Sequence, residues 1–381
     1  MYNRLLDLTH VKKSFFLWGQ RQTGKSSLLH AAFPETKFIN LLESDTFLDY
    51  SREPHLIRER LASLKPGDRV IIDEVQKVPA LLDEVQNLIE NKKLVFGLCG
   101  SSARKLKRGH ANLLGGRARR FELYGFCAAE LKNDFDLVKM LNRGYLPSFY
   151  LEDDFLEDHK SYVSDYLKEE ILAEGLTRNI GIFSRFLETA ALSDCETINF
   201  SNIAREVGVS VKTAQAHFEI LEDTLTGRFL NSYVRKPKRR TRLAPKFYFF
   251  DVGIVNFLAR RRNLEPKSSA FGKAFENWIH HELVCYQSYR KTDLEISYWT
   301  LTTGVEVDFI LNDMEIAIEA KASAKINSDH LKNLRELKND FPKIKSRIIV
   351  CLEKEIRVSE DGILILPYLD FVNRLWSGAI F

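Results

Sequence analysis

Residues 14–27 read Ser14-Phe15-Phe16-Leu17-Trp18-Gly19-Gln20-Arg21-Gln22-Thr23-Gly24-Lys25-Ser26-Ser27, and the reading of this stretch decides the architecture around it. An apolar run, SFFLW, leads into GQRQTGKS, which fits the pattern GxxxxGK[ST]; SSLLHAAF then takes up helical spacing. Strand, glycine-bearing loop and helix in that order are what a phosphate-binding loop requires. The glycines let backbone N–H groups curl around phosphate oxygens, and the helix N-terminus adds a favourable dipole. Gly19, Gln20, Arg21, Gln22, Thr23, Gly24, Lys25, Ser26 and Ser27 therefore form the expected cradle. Lys25 is expected to reach the β- and γ-phosphates of a nucleotide as a catalytic cation, and the Ser26 hydroxyl to ligate Mg²⁺.

The surrounding sequence repeats the same alternation. KFINLLE, RVIIDEV and LVFGLCGS are short apolar runs suited to buried strands, and ALLDEVQNLIE has helical periodicity. Residues 14–127 thus predict a doubly wound parallel sheet. RVIIDEV ends in two carboxylates. Asp73 is placed to hold Mg²⁺ through water, and Glu74 to polarise the attacking water as the catalytic base. The run Leu94 to Cys99 ends in Gly100-Ser101-Ser102, where Ser101 can report on the γ-phosphate; a plain turn serine is the competing reading. Arg117, in LLGGRARR, is the candidate catalytic cation for transition-state charge, in cis or toward a neighbouring subunit. Arg119 and Arg120 compete for that role, as does a solvated cluster.

Length and composition bound the rest. A chain of 381 residues predicts two to three domains. Hydrophobic residues at 45% and charged residues at 28% exclude a chain disordered throughout. The 56 Lys and Arg against 52 Asp and Glu leave only +4, so any basic footprint has to be local. Five scattered cysteines with no CxxC read as reduced thiols rather than a disulfide framework or a zinc site. The apolar run FYFFDVGIVNFLA, of 13 residues, carries Asp251 and is too short to span a bilayer. With no signal-peptide pattern at the start, a cytoplasmic location and no membrane partner are expected.

From about 150 to 228 the pattern turns helical, as in DYLKEEILAEGL and IFSRFLETAAL. Ser201 to Ser210 reads as a capped helix, a glycine turn and a second capped start. A helix through Glu222 follows, then two strands, RFLNSYV and KFYFFDV, around the loop RKPKRRTRLAP. That order predicts a winged helix-turn-helix. Six of the eight residues from Arg235 to Arg242 are basic, which suits the wing to DNA phosphates. The second helix carries Lys212 and His217 but also Glu219, Glu222 and Asp223, so it does not favour a DNA groove. The competing reading is a lever packed between two enzymes. Boundaries near 145 and 265 divide the chain into segments 1–145, 146–265 and 266–381.

After residue 270 a helix, three strand-like runs, a helix and a further strand are expected. GVEVDFIL and MEIAIEAK alternate with period two and flank Asn312-Asp313, a two-residue hairpin turn. In that register Leu311 pairs with Met314, Asp308 with Ala317 and Glu306 with Glu319. Glu306, Asp308, Glu319 and Lys321 share one face, and Val307, Phe309, Leu311, Met314, Ile316 and Ile318 the other. Asp308 and Glu319 become diagonal neighbours about 7 Å apart at the backbone, close enough to share a divalent ion. Glu276, in FGKAFENWIHHEL, can add a third oxygen. Mg²⁺ or Mn²⁺ held by Glu276, Asp308 and Glu319, with Lys321 as the catalytic lysine, is what metal-dependent phosphodiester hydrolysis needs. A solvated hairpin face that keeps the fold without cleavage is the alternative. His280 and His281 are expected to be core or solvated histidines.

GQRQTGKSS, VIIDEVQ, LCGSS and LLGGRARRFEL, in that order, resemble the AAA+ superfamily P-loop ATPases of bacteria and archaea. More narrowly, with NRGYLPSFYLEDD, VGVSVKTAQAHFEILED, KFYFFDVGIVN and FGKAFENWIHHEL, the chain is similar to predicted ATPases fused to a C-terminal domain of unknown function. One departure is ELYGFCAAEL, where that family usually shows a Pro-Leu-Ser-like stretch before a Glu matching Glu130. The C-terminal element order, with Glu276, Asp308 and Glu319-Ala320-Lys321, resembles the PD-(D/E)XK nuclease fold. The resulting fold class is α/β: a P-loop NTPase parallel sheet, a helical winged-helix module and an α/β PD-(D/E)XK nuclease-like domain. The resemblance implies ATP and Mg²⁺ as cofactors. Two functions follow as expectations: an ATPase coupled to a nuclease-like domain acting on DNA, or a nucleotide-switched DNA- or protein-binding regulator that does not cut. A small-molecule kinase or GTPase fits less well, because it leaves the C-terminal part unexplained.

Overall fold

The computed structural model describes residues 2–101, 114–167, 179–234 and 244–381. It forms two compact units, Met1–Gly125 with Asp223–Thr226, and Phe126–Glu222 with Gly227–Phe381. The first unit's main segment ends at Gly125. The Phe126 N–H donates to the Tyr145 carbonyl, and the His281 ring is within hydrogen-bond distance of the Phe126 carbonyl, which tie this residue to the second unit. The stretch expected between boundaries at 145 and 265 packs in the same unit as the C-terminal part.

In the first unit β1 (Phe15–Trp18), β2 (Lys37–Asn40), β3 (Arg69–Asp73), β4 (Val95–Gly100) and β5 (Arg119–Glu122) form a five-stranded sheet in the order β2-β3-β4-β1-β5. Every pairing is parallel. The near-continuous apolar runs of β1, β3 and β4 explain this, since a parallel sheet is covered on both faces. β5 was not among the expected strands, because its sequence, RRFE, lacks an apolar run. The helix Leu81–Asn91 buries Leu81, Leu82, Val85 and Leu88, one stripe at helical spacing. Each such side chain contributes about 1.5–3 kcal/mol of burial. Trp18 pairs with Gly100, Ile72 with Leu98 and Asn40 with Asp73, so β1, β3 and β4 end at nearly the same level. The residues that follow them share one edge of the sheet, where ligands of open α/β sheets bind.

The second unit begins with helices. Asn179 caps Ile180–Leu192, Asn199 caps Phe200–Val207, and Gly208, at φ 79°, closes the latter before Val211–Asp223. β6 (Gly227–Leu230) and β7 (Lys246–Phe249) pair antiparallel, with Gly227 opposite Phe249. Phe183, Phe186, Phe218, Phe247 and Phe249 fill the core between these elements. His217 lies in that core beside Phe183 and Phe186 and offers nothing to a DNA groove; burial holds its pKa below the usual imidazole value. The basic wing Arg235 to Arg242 and most of DYLKEEILAEGL lie outside the described residues.

Beyond them the helix Ser269–Arg290 packs on a six-stranded mixed sheet. Its strands are β8 (Ile296–Thr300), β9 (Glu306–Leu311), β10 (Ile316–Lys321), β11 (Ser346–Cys351), β12 (Arg357–Val358) and β13 (Leu364–Pro367), in the order β12-β13-β11-β10-β9-β8. β12, β13 and a last helix, Tyr368–Ser377, extend the expected order. All five cysteines are buried and free. Among the described residues no helix is long and apolar enough to cross a membrane.

Candidate functional site

The phosphate loop is built as its sequence requires. Gly24 sits at φ 88° and Gln22 at φ 63°, which curls the loop before the helix Lys25–Ala32 starts. The Thr23 hydroxyl donates to the Gln20 carbonyl at 2.8 Å. Lys25 is 6% exposed, and its ammonium donates to the Gly19 and Gln20 carbonyls, both at 2.7 Å. A lysine so folded onto its own loop stands where nucleotide phosphates can replace the two carbonyls. The Gln20 side-chain nitrogen is buried without a partner, a donor still unsatisfied inside the cradle. Arg4 braces the loop from the N-terminal segment by donating to the Thr23 and Tyr124 carbonyls, both at 2.6 Å. Sequence reading missed Arg4, because nothing local marks a contact made across such a separation.

The Ser26 hydroxyl donates to Asp73 Oδ2 at 2.6 Å. The two residues expected to share Mg²⁺ are thus in contact, and this hard-oxygen pair fits that ion. Glu74 follows at φ 55°, a left-handed conformation uncommon outside glycine. It turns the carboxyl off the strand end, where Gln76 meets it. The Gln76 amide donates to Glu74 Oε2 and, at 3.0 Å, to the Ser101 hydroxyl. Gln76, to which the VIIDEVQ pattern assigns no role, joins the expected base to the expected phosphate-sensing serine. Its Oε1 lies against Gly100, where a Cβ would come within 2.2 Å of it. Arg117 is not gathered into this site; its guanidinium pairs with Glu90 at 2.9 Å.

In the C-terminal sheet the hairpin register differs from expectation. Leu311 pairs with Ile316, and Ala317 with Ile310, across a four-residue loop, Asn312 to Glu315. Asn312 and Met314 both take positive φ there, which the two-residue turn did not anticipate. A shift of two keeps the faces of β10, and the ladder ends at Phe309 opposite Ile318, just short of Asp308 and Glu319. β9 is also bulged against β8: Ser297 pairs with Ile310, but Trp299 pairs with Val307. The extra residue sends Val307 and Ile310 into one core with Ala317, while Phe309 lies against Tyr248 and His280. The expected single apolar face of Val307, Phe309 and Leu311 is therefore split.

Asp308 sits at that bulge, where its Oδ2 accepts the Ala320 N–H at 2.8 Å. Lys246, from β7, is the residue that sequence reading did not place. Its buried ammonium lies 2.6 Å from Glu306, 3.0 Å from Glu276 and 3.6 Å from Asp308. The Tyr248 hydroxyl donates to the same Glu276 oxygen at 2.7 Å. Glu319 Oε1 accepts from Lys321 at 2.7 Å and Asn333 at 3.2 Å, while its Oε2 is buried without a partner. Burial, reinforced by the Asp308 charge, pushes Glu276 up to about 7 and Glu319 up to about 8. Burial pulls the Lys246 pKa down, but Glu276, Asp308 and Glu306 together outweigh it and raise it. Among the described residues no three His, Cys, Asp or Glu side chains converge on one metal position. That departs from the expected trio of Glu276, Asp308 and Glu319, because Lys246 stands between the first two and Lys321 engages the third. His280 stacks on Tyr248 and His281 on Tyr145, both as core residues.

The Walker-type ATPase of Pyrococcus abyssi is 16% identical, with a TM-score of 0.43 over 64% of this chain and 90% of its own. Uncharacterized proteins of Mycobacterium bovis and Mycobacterium tuberculosis are each 24% identical over 317 residues, 80% of this chain and 69% of theirs. Residues 271–371 match the family described as a domain of unknown function (DUF4143), and residues 134–265 match another domain of unknown function (DUF8612). Residues 11–132 match the family described as AAA domain. The chain carries an ATP-binding, AAA-type P-loop ATPase domain, with further domains after it.

Proposed function

We propose that the N-terminal domain hydrolyses ATP with Mg²⁺ and that its nucleotide state governs what the C-terminal part binds. The observation that carries the ATPase assignment is the 2.6 Å contact of Ser26 with Asp73, beside Glu74. In this reading Gly19 to Ser27 cradle the phosphates and Lys25 leaves the loop carbonyls to neutralise them. Ser26 and Asp73 would hold Mg²⁺, which would supply charge neutralisation to the nucleotide phosphates. Glu74 takes the proton of the attacking water, and Ser101 registers the γ-phosphate. Arg117 enters only if it exchanges Glu90 for phosphate oxygens.

For the C-terminal part we carry two readings. The element order and the Asp308, Glu319 and Lys321 set support a PD-(D/E)XK-like nuclease using Mg²⁺ or Mn²⁺ on DNA, with Glu276 as a further ligand. The Lys246 ammonium among these carboxylates favours the second, a domain that binds without cutting. The helices from Phe200 to Asp223 with β6 and β7 support a winged-helix arrangement whose basic loop, Arg235 to Arg242, contacts DNA phosphates. Plasmid cleavage in Mg²⁺ or Mn²⁺, with and without ATP, separates the two. Cleavage that is lost in Lys321→Ala establishes the nuclease; no cleavage alongside intact ATP turnover leaves the binding switch.

A further inference from the structure

KFYFFD, residues 246–251, is the motif that the ATPase reading leaves without a role. Its Lys246 is 1% exposed and reaches three carboxylates at 2.6–3.6 Å. Its Tyr248 is also buried, and donates to the same Glu276 oxygen that Lys246 engages. Both Asp308 oxygens and one Glu276 oxygen are therefore committed to the chain itself, and Glu319 Oε2 is the buried oxygen left without a partner. Asp308 uses Oδ1 toward Lys246 and Oδ2 for the Ala320 N–H, and Glu276 Oε1 is shared by Lys246 and Tyr248. A cleft of about 350 Å³ opens beside them, lined by Glu276, Asp308 and Lys321 together with Lys267, Lys273 and His330.

We propose that Lys246 is the resident cation of this carboxylate cluster, its ammonium taking the charge-balancing position that a divalent ion would occupy between Glu276 and Asp308. This rests on the reading of the C-terminal domain as one that binds without cutting. A divalent ion on Asp308 would have to lie within a few ångströms of a buried ammonium, and charge repulsion at that range in a protein interior lowers affinity by at least about a hundredfold. The helix Ser269–Arg290 and β9 are instead joined by an ammonium delivered from β7. The KFYFFD motif thereby ties the pair β6/β7 to the C-terminal sheet. Lys246 acts here as a positioning residue: it holds Glu276, Glu306 and Asp308 together and leaves Lys321 facing the cleft.

The test is Mn²⁺ binding to the nucleotide-free full chain, read from the free-ion signal in electron paramagnetic resonance. Wild type is expected to show no Asp308-dependent site. Lys246→Met is expected to gain one at least about a hundredfold tighter, lost again when Asp308→Asn is added. Its melting midpoint is expected to rise with Mn²⁺ while that of wild type does not. A wild-type site that disappears in Asp308→Asn overturns the proposal, and so does a folded Lys246→Met that gains no site. If Lys246→Met does not fold, wild type against Asp308→Asn still decides. Plasmid cleavage is scored separately: Asp308-dependent Mn²⁺ binding without cleavage rejects the resident cation alone, whereas binding with cleavage rejects the non-cutting domain as well.

Discussion

Replacing Gln76 by Leu removes a buried amide that joins Glu74 to Ser101. Its hydrogen bond to the Glu74 carboxylate is charge-assisted, a class that contributes about 1.5–3 kcal/mol. If that contact orients the base in the transition state, its loss lowers kcat by roughly 10- to 100-fold, since about 1.4 kcal/mol is a factor of ten. The KM for ATP is expected to change by less than about twofold, because ground-state binding belongs to Gly19–Ser27. Steady-state ATP turnover over a pH series separates the two effects. Gln76→Glu serves as the control: a second carboxyl beside Glu74 disfavours its charged form and moves the acid limb of the profile upward. Gly100→Ala is expected to mimic Gln76→Leu, because the new Cβ would lie 2.2 Å from the Gln76 oxygen and 2.8 Å from the Trp18 ring. Wild-type kcat in Gln76→Leu, or a loss confined to KM, would refute the positioning role.

Two further predictions concern the second unit. The Asp251 carboxylate is fully buried and accepts the N–H groups of Tyr145, Leu146, Gly253 and Ile254 at 2.6, 3.0, 2.8 and 3.2 Å. Asp251→Ala leaves those donors unpaired and is expected to destabilise this unit by about 4 kcal/mol or more; a urea midpoint change equivalent to under about 1 kcal/mol would show that the contacts are replaceable. His159 is buried, with its Nε2 against the Arg143 carbonyl at 2.7 Å, and burial lowers its pKa to about 4. The unfolded imidazole takes up its proton first, so this contribution is fully present above about 6.5 and is lost as pH falls toward 4, by up to about 3 kcal/mol. His159→Gln is expected to be less stable at pH 7 but to lose less on acidification; an unchanged slope in urea melts between pH 7 and 4 would contradict this.

The parts legible in the sequence are those made by neighbours in the chain. The loop Gly19–Ser26, the strand ending at Asp73 and the strand before Ser101 are local patterns, and the parallel sheet sets them at one edge. Their mutual contact, Ser26 to Asp73, follows from that topology. What was not legible depends on long-range or irregular geometry. Arg4 reaches the loop across the sequence, and Lys246 enters a cluster whose other members begin at Glu276. The hairpin register turned on two positive φ values, at Asn312 and Met314, that a methionine does not advertise. The bulge at Asp308 redirected side chains that strict alternation would have left on one face. Arg117 fell outside the site because arginine-rich sequence specifies charge, not the partner that takes it up.

Nucleotide chemistry at Gly19–Ser27, Asp73 and Glu74 is the central function assigned to the N-terminal domain. Calorimetry with ATP at millimolar Mg²⁺, followed by phosphate release, is the measurement, applied to wild type, Lys25→Ala and Glu74→Gln. Wild type is expected to bind and hydrolyse ATP, Lys25→Ala to lose turnover, and Glu74→Gln to retain bound ATP while turnover falls by about 10²–10⁴. Undetectable ATP binding by wild type, or full turnover in Lys25→Ala, would contradict the assignment.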